Sequence, residues 1–447
     1  MIQRLLSSAK VAPVLTPSPL KTKLCTLMLA SVASLALAAT THAVADTLVI
    51  KADALVDVEN NTVLSAPLVI VENNIIRYVG KQGSQTIPDD AQVLDLSGHT
   101  LLPGLMDMHV HLTSDANLHG YRRLKVSTPR SAITGVKNAQ STLMAGFTTV
   151  RNVGAPGYAD VALRDAINEG DVLGPRMYVS GPSIGVTGGH CDNNLLPFEY
   201  DVQSEGVADG PWAVRTKVRQ NIKYGADVIK FCATGGVLSK GTKVGAQQFS
   251  FEEMQALITE AHLRGLTVAA HAHGTSGIKD AIRAGVDSIE HGSFLDDEAI
   301  ALAKKMGTYL SMDIYVTEYI LGEGEKAGIL EESLAKERTV GKRQRDNFTK
   351  ALNAGVKMVF GSDAGVYPHG DNARQLSRMV RFGMTPMQAI QAATIHSADL
   401  LGKAKLIGSV SEGKLADIIA VKGDVMADMT LLEHVQVVIK DGVIIKK

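Results

Sequence analysis

Two pairs of histidines in the sequence have a spacing suited to metal binding. His109 and His111 end one apolar run of the chain, and His271 and His273 end another. Residues i and i+2 of a β-strand project from the same face, so each pair presents two imidazoles side by side. Neutral imidazole is a common ligand of zinc and related ions. Each pair therefore predicts part of a metal site, with surface histidines on an edge strand as the alternative for an isolated pair.

Further residues with metal-binding or catalytic chemistry follow other apolar runs or lie within them, namely His190, Lys230, His291 and Asp363. A lysine inside an apolar strand is costly unless it is paired. Burial lowers the pKa of its amine, and the neutral amine can add carbon dioxide to form a carbamate that bridges two cations. The alternatives for Lys230 are a salt bridge to a buried carboxylate and contact with an anionic substrate. His190 has an ordinary loop histidine as its alternative, and His273 a role in orienting a neighbour.

The elements that must position these residues alternate through the middle of the chain. Helical stretches end at glycines such as Gly146, Gly225 and Gly355, and an apolar strand follows each of them. Ser250 and Glu253 predict a capping box at the start of one helix. Repeated helix-then-strand units give parallel strands. Their number, about eight, favours an α/β fold of the (β/α)8 TIM-barrel type over a doubly wound open sheet.

Both ends of the chain differ from this middle. Short alternating runs separated by Asn-containing turns predict antiparallel strands near each end. We expect a small β-sandwich built from residues 46–98 and 404–447 around a barrel formed by residues 99–403. The polar stretch 313–347 is predicted to be a helical insertion after the seventh barrel strand. In a barrel, the C-terminal ends of the strands carry the active site, and the residues singled out above fall at these ends.

This set of residues resembles the metal ligands of the amidohydrolase superfamily. In that family a His-x-His pair, a carboxylated lysine, two further histidines and an aspartate bind two divalent metal ions, usually Zn2+. The matching residues here are His109, His111, Lys230 as the carboxylated bridging ligand, His271, His291 and Asp363. The motifs around residues 187–190, 233–236 and 289–292 are similar to those of the imidazolonepropionase-related branch. That branch includes prolidases, Xaa-Arg/Lys dipeptidases or carboxypeptidases, and ochratoxin amidases.

The resemblance implies cleavage of the amide bond of dipeptides or N-acyl amino acids that bear a free C-terminal carboxylate. Two metal ions, ~3.5–4 Å apart in such sites, share a hydroxide that attacks the amide. Asp363 is expected to act as general base and then as general acid. His190 is expected to stabilise the oxyanion and His273 to contact the substrate. Candidates for contact with the substrate carboxylate are Tyr315, Tyr319 and Arg374.

Other activities on the same fold remain open at this point. A cyclic-amide hydrolase, a deaminase, a lactonase or a phosphotriester hydrolase could use the same kind of site. Mononuclear deaminases normally lack the lysine of the fourth strand, so Lys230 argues against them. A non-catalytic relative would lack metal ligands, and the sequence retains all six. Fold-level analogy does not fix the substrate.

The composition and charge of the chain argue against a nucleic-acid partner. The chain has 447 residues, of which 20% are charged, and a formal net charge of −1. This is an ordinary globular profile without the basic excess of a nucleic-acid-binding protein. We expect a small-molecule substrate as the partner, and the neutral charge and the resemblance both favour a homo-oligomer.

Residues 1–45 are predicted to be a secretory signal peptide. A basic leader precedes the uncharged apolar stretch 24–39, and small residues then offer a cleavage site. We expect a periplasmic or secreted enzyme without stable membrane association after cleavage; an N-terminal membrane anchor is the alternative. Cys191 and Cys232 remain after cleavage, and we expect free buried thiols rather than one bridge. Cys191 also replaces the glycine that the branch usually has before Asp192.

Overall fold

The computed structural model describes residues 47–447, so the predicted signal peptide lies outside the described residues. The first five strands are β1 (Thr47–Asp57), β2 (Thr62–Ser65), β3 (Pro67–Glu72), β4 (Ile75–Lys81) and β5 (Gln92–Pro103). Short turns make β1–β2 and β3–β4 antiparallel, as expected, but β1 and β5 are parallel. That parallel pair was not predicted from the sequence; residues 82–91 return the chain to the opposite end of the sheet before β5 begins.

Eight parallel strands follow and form the barrel. They are β6 (Leu105–Val110), β7 (Phe147–Asn152), β8 (Arg176–Val179), β9 (Val228–Cys232), β10 (Thr267–Ala272), β11 (Ser288–His291), β12 (Tyr309–Ser311) and β13 (Met358–Val359). Strands β6–β8 form one parallel sheet and β9–β13 another. Parallel bridges between Val110 and Ala364, and between Ile184 and Phe231, join the two sheets at both edges. The predicted (β/α)8 barrel is therefore confirmed, rather than the doubly wound open sheet.

Helices alternate with these strands. They are α1 (Thr128–Met144), α2 (Ala159–Asn168), α3 (Pro211–Lys223), α4 (Phe251–His262), α5 (Thr275–Arg283), α6 (Asp297–Met306), α7 (Val316–Ala327), α8 (Glu331–Ala354), α9 (Arg374–Arg381), α10 (Pro386–Ala392) and α11 (Ile395–Leu400). Short 3₁₀ helices span Gly120–Lys125, Pro156–Tyr158, Phe198–Tyr200 and Met429–His434. The capping box of Ser250 and Glu253 begins α4, as predicted. Gly355 ends α8 in the left-handed conformation, with φ of 74°. Within the described range, no helix has the length and apolarity needed to cross a membrane.

Three C-terminal strands return to the first sheet. They are β14 (Ile418–Lys422), β15 (Val437–Lys440) and β16 (Val443–Lys446). Strand β14 pairs with β5, so that strands from both ends of the chain form one eight-stranded sheet, as predicted. Residues 47–447 form one compact unit, and the boundaries given above for the barrel and the sandwich stay predictions.

Apolar residues follow the two periodicities of these elements. Leu48 and Ile50 of β1 belong to one buried cluster and Val49 to another, because alternate residues of a strand face opposite sides. A larger cluster includes Phe147 of β7 and Leu257 of α4 and packs the barrel strands against the helices. These cores hold the strand ends in fixed positions, which a site assembled from several strands requires.

Candidate metal centre

One cavity of about 640 Å³ collects the eight residues predicted from the sequence as metal ligands or catalytic residues. The residues concerned are His109, His111, His190, Lys230, His271, His273, His291 and Asp363. They come from the ends of β6, β9, β10 and β11 and from the loops that follow β8, β10 and β13. The structure thus brings together side chains that are up to 254 positions apart in the sequence, from His109 to Asp363.

The first candidate ligand group consists of His109, His111 and Asp363. The Nε2 atoms of the two histidines lie 3.4 and 3.3 Å from Oδ1 of Asp363. The backbone N–H of Asp363 donates to the carbonyl oxygen of His109 at 2.8 Å, which fixes the loop after β13 against β6. Burial alone would raise the pKa of Asp363, but the two histidines hold it below its ordinary value. Asp363 is therefore a carboxylate surrounded by imidazole nitrogens.

The second group consists of His271, His273 and His291, whose ligand atoms lie within 4.8 Å of one another. Nδ1 of His273 lies 2.8 Å from the Ser293 hydroxyl, and Nδ1 of His291 lies 2.9 Å from Oδ1 of Asp313. Burial lowers the pKa of His271 and His273 well below the ordinary value, so both rings are neutral. Burial alone would lower the pKa of His291, but the neighbouring Asp313 carboxylate raises this pKa above its ordinary value.

Lys230 is buried in β9 and is only 3% exposed. Its amine makes no hydrogen bond or ion pair with any residue of the described range. The salt bridge considered above as an alternative therefore has no partner. Burial lowers the pKa of Lys230 to about 8, which increases the fraction of neutral amine near neutral pH. The carbamate stays a prediction, and the neutral amine is the form that it requires.

Three residues that orient the candidate ligands were not predicted from the sequence. Glu290 accepts a hydrogen bond from Nδ1 of His109 at 2.9 Å and pairs with the buried Arg151 at 2.7 Å. Asp313 follows β12 and holds His291 in the same way. Such partners fix the orientation of an imidazole and leave the other ring nitrogen free for a metal. Glu290, Arg151 and Asp313 each lie at or near the end of a barrel strand. A search of every strand end for charged residues would therefore have found them.

His190 lies in the loop after β8 and stacks on His271, with ring centroids 4.0 Å apart. Its Nδ1 lies 2.8 Å from the hydroxyl of Ser239, and burial lowers its pKa to about 3. The adjacent Cys191 forms a disulfide with Cys232 of β9, with Cα atoms 6.0 Å apart. The expectation of free thiols is therefore wrong, because the fold brings the two cysteines within the distance that a disulfide spans.

The three candidates for the substrate carboxylate lie elsewhere. Tyr315 accepts a hydrogen bond from Arg374 at 3.2 Å, and the hydroxyl of Tyr319 donates to the carbonyl of Ala116 at 3.3 Å. Among the described residues that line the cavity, none of the three occurs. They are therefore not positioned to contact a substrate in this cavity.

The donor set fits divalent metal ions. Nε2 of His271 is buried and has no hydrogen-bond partner within the described part of the chain. A buried nitrogen without a hydrogen-bond partner is unfavourable unless another group, such as a metal ion, binds to it. A Cβ atom at Gly236 would lie 2.6 Å from this same nitrogen, so the glycine keeps the space beside it open. Neutral imidazoles and one carboxylate are the ligand types that zinc and its neighbours prefer.

A (β/α)8 barrel with clustered histidines, a buried lysine and an aspartate at its C-terminal strand ends defines a class of barrel hydrolases. The chain belongs to the amidohydrolase family, whose profile matches residues 100–445. This membership confirms the resemblance identified from the metal-ligand motifs.

Individual relatives support the same branch. A Xaa-Pro dipeptidase, whose crystal structure has methionine bound in its active site, matches with a TM-score of 0.85 and 42% identity, over 90% of this chain and 100% of that one. Ochratoxinase of Aspergillus niger is 33% identical over 410 residues, which are 86% of this chain and 83% of that protein. Imidazolonepropionase of Pseudomonas fluorescens is 26% identical over 389 residues, 79% of this chain and 87% of the relative. The protein is a hydrolase of amide or peptide bonds.

Proposed function

We propose that the protein is a secreted, binuclear metal-dependent amidohydrolase that cleaves dipeptides or N-acyl amino acids with a free C-terminal carboxylate. The observation that carries this proposal is the single cavity containing both ligand groups and the unpaired Lys230. The similar dipeptidase supports the substrate class, because the methionine in its active site is a free amino acid of the kind that such a reaction releases. Ochratoxinase supports the same bond type through its name and its 33% identity.

The residues of the two groups would hold the metal ions. His109, His111 and Asp363 would bind one ion, His271 and His291 the other, and the carbamate of Lys230 would bridge them. Zinc is the metal that this nitrogen and oxygen donor set favours. Two bound ions supply Lewis acidity and lower the pKa of water, so that a nucleophile is available near neutral pH.

The side chains of this protein then move the protons and stabilise the charges. Asp363, ionised because its pKa is low, accepts the proton of the attacking water and delivers it to the nitrogen of the leaving amine. An amide needs this proton because an amine anion is a poor leaving group. In the tautomer in which Nδ1 of His190 and His273 accepts from the hydroxyls of Ser239 and Ser293, each at 2.8 Å, the proton of the neutral ring is on Nε2. His190 thereby donates a hydrogen bond to the developing oxyanion, and His273 contacts the substrate.

Metal content and amino acid release test the proposal together. Elemental analysis of the mature protein is expected to give about two zinc-like ions per chain. The protein is assayed on a panel of Xaa-amino acid dipeptides and N-acyl amino acids. Lys230→Ala removes the bridging ligand, so we expect release to fall at least ~100-fold and bound metal to decrease. A matched control is Lys342→Ala, which removes a lysine that is 84% exposed and is expected to change neither quantity.

The carbamate of Lys230 can be detected separately from metal content and activity. Protein equilibrated with 13C-bicarbonate is expected to show a carbamate resonance by NMR that is absent in Lys230→Ala and retained in Lys342→Ala. One ion per chain that is unaffected by the Lys230 substitution would contradict the binuclear mechanism and favour deaminase substrates. Two ions without release from any panel member would retain the site, refute the substrate class, and leave cyclic amides and lactones to be assayed.

Export is part of the proposal and rests on the signal-peptide pattern of residues 1–45. N-terminal sequencing of protein from a bacterial periplasmic fraction is expected to begin near Asp46. Retention of the leader in a membrane fraction would instead support the anchor. The expected homo-oligomer is measured by light scattering of the same sample.

A further inference from the structure

An arginine without a partner lines the cavity beside the metal centre. Arg123 lies in the 3₁₀ helix Gly120–Lys125, in the connection between β6 and α1, and lines the same cavity as the metal-binding residues. Its guanidinium makes no hydrogen bond or ion pair with any residue that the structure describes. The adjacent Arg122, in contrast, donates to the carbonyl oxygen of Lys326 at 2.6 Å. Arg123 is exposed to the solvent of the cavity, so its five N–H donors can bind a ligand in place of water.

The surroundings of Arg123 place its charge near the catalytic residues. Burial lowers the pKa of His190, and the positive charge of Arg123 contributes to the same effect. Burial also lowers the pKa of Arg123 itself. The residue nevertheless remains exposed to solvent, and no carboxylate among the described residues neutralises its guanidinium.

The other charged groups of the cavity are already engaged. Apart from the histidines, Lys230 is the only other cationic residue among the described residues that line it, and Lys230 is assigned above to the metal centre. Glu205 accepts a hydrogen bond from the backbone N–H of Gly157 at 2.7 Å. Asp192 accepts from the backbone N–H groups of Gly188 and Ser204 at 2.9 and 2.8 Å. Arg123 is therefore the cation that remains available for a ligand.

We propose that Arg123 binds the C-terminal carboxylate of the substrate and sets the requirement for a free carboxylate. The planar guanidinium can form two parallel hydrogen bonds with a carboxylate, which a lysine amine cannot do with the same geometry. This inference rests on the proposed function, because it takes the carboxylate-bearing amide as the substrate. The contact expected at Tyr315, Tyr319 or Arg374 is thereby assigned to the loop after β6.

A pair of substrates isolates this contact. The panel dipeptide that the wild-type enzyme cleaves fastest is compared with the same dipeptide bearing a C-terminal amide. Arg123→Met is expected to lower kcat/KM for the free acid about 100-fold, mainly through KM, because one partner of a charge pair is lost. The amidated dipeptide is expected to change by less than about twofold, since it has no carboxylate to lose. Arg123→Lys retains the charge without the fork and is expected to lose about 10-fold on the acid.

Arg122→Met is the matched control, because it removes a neighbouring arginine that does not line the cavity. It is expected to leave both substrates unchanged. Equal losses on the acid and the amide in Arg123→Met would indicate that Arg123 only supports the loop, and would overturn the inference. An unchanged rate on the acid would overturn it as well, while the proposed function would stand. If the wild-type enzyme cleaves no dipeptide or N-acyl amino acid, the substrate class is wrong and the inference fails with it.

Discussion

Glu337 is a buried acid of α8 that lines the cavity behind the ligands. Burial raises its pKa to about 7, and the charge of Asp313 adds to this effect, while Thr317, Arg345 and His291 oppose it. The hydroxyl of Thr317 donates to Oε1 of Glu337 at 2.5 Å. A carboxyl group whose pKa is raised in the folded state favours folding only while it is protonated. Its contribution to stability therefore falls as pH increases from the ordinary value near 4.5 through about 7.

We expect Glu337→Gln to stabilise the protein at pH 8 and to have less effect at pH 5. The amide keeps the acceptor for Thr317 and removes the charge that must be buried above neutral pH. The gain in Tm at pH 8 over that at pH 5 is expected to be on the order of 2 °C for a chain of this size. Thermal unfolding at both pH values measures it, and Glu331→Gln, at a position that is 71% exposed, is the control. The same shift at both pH values would refute the raised pKa.

Most residues of the candidate metal centre are chemically conspicuous in the sequence. A histidine, lysine or aspartate at the end of an apolar strand is costly to bury. Its position therefore indicates a metal-binding or catalytic role. Glu290 and Asp313 were missed because their importance lies in hydrogen bonds to His109 and His291, and such partners depend on the folded geometry. Arg123 follows no strand and no periodic pattern, so only its position in the cavity reveals it.

At the scale of elements, the loop between β8 and α3 is held against β9 by a covalent bond. This loop carries His190, and its neighbour Cys191 is joined to Cys232, two positions after Lys230. Residues i and i+2 of a strand share a face, so the disulfide lies on the same side of β9 as the lysine. The bond therefore connects the loop that carries the candidate oxyanion donor to the strand that carries the candidate bridging ligand.

Replacing both cysteines by serine is expected to destabilise the protein. The two cysteines are 41 positions apart, and closing a loop of this length removes unfolded-state entropy worth about 3–4 kcal/mol. Urea unfolding under non-reducing conditions measures the loss. Dithiothreitol is expected to lower the stability of the wild-type protein toward that of the double variant and to leave the double variant unchanged. A double variant as stable as the untreated wild-type protein would contradict this prediction.

The alternation of strands and helices was predictable, whereas pairings between distant parts of the chain were not. Glycines at helix ends and the capping box of α4 are local signals, and the structure confirms them. The parallel pairing of β1 with β5 and the bond between Cys191 and Cys232 each join segments whose separation the local sequence does not encode. Helix α8 also extends beyond the predicted insertion, to Ala354. Gln344 of this helix donates to the carbonyl oxygen of His291 at 3.2 Å, which connects the insertion to the candidate metal centre.

At the scale of the whole molecule, Arg176 joins the barrel to the sheet formed by the two chain ends. It lies at the start of β8 and contacts Asp417 and Asp441 at 2.6 and 2.5 Å. Asp417 is 6% exposed, so loss of the arginine would leave a largely buried carboxylate without its ion-pair partner. The sequence offered no signal for this contact, because Arg176 and Asp417 are more than 240 positions apart in the chain.

Arg176→Leu is expected to lower the free energy of unfolding by about 2–3 kcal/mol. Arg338→Leu breaks an exposed pair with Glu331, whose side chains are 56% and 71% exposed, and is expected to cost less than about 0.5 kcal/mol. Urea unfolding of the two variants beside the wild-type protein makes the comparison. Equal effects would show that Arg176 contributes no more than a surface charge.

The eight-stranded sheet also has a consequence for the order of events during biosynthesis. Strand β5 lies between β1 and β14, so one of its neighbours is made among the first described residues and the other among the last. A ribosome that has completed the barrel has not yet made Ile418–Lys422, and the edge of β5 that pairs with this strand is still without its partner. An unpaired strand edge is a site for aggregation. Synthesis of β14 is thus the step that supplies the partner for this edge of β5.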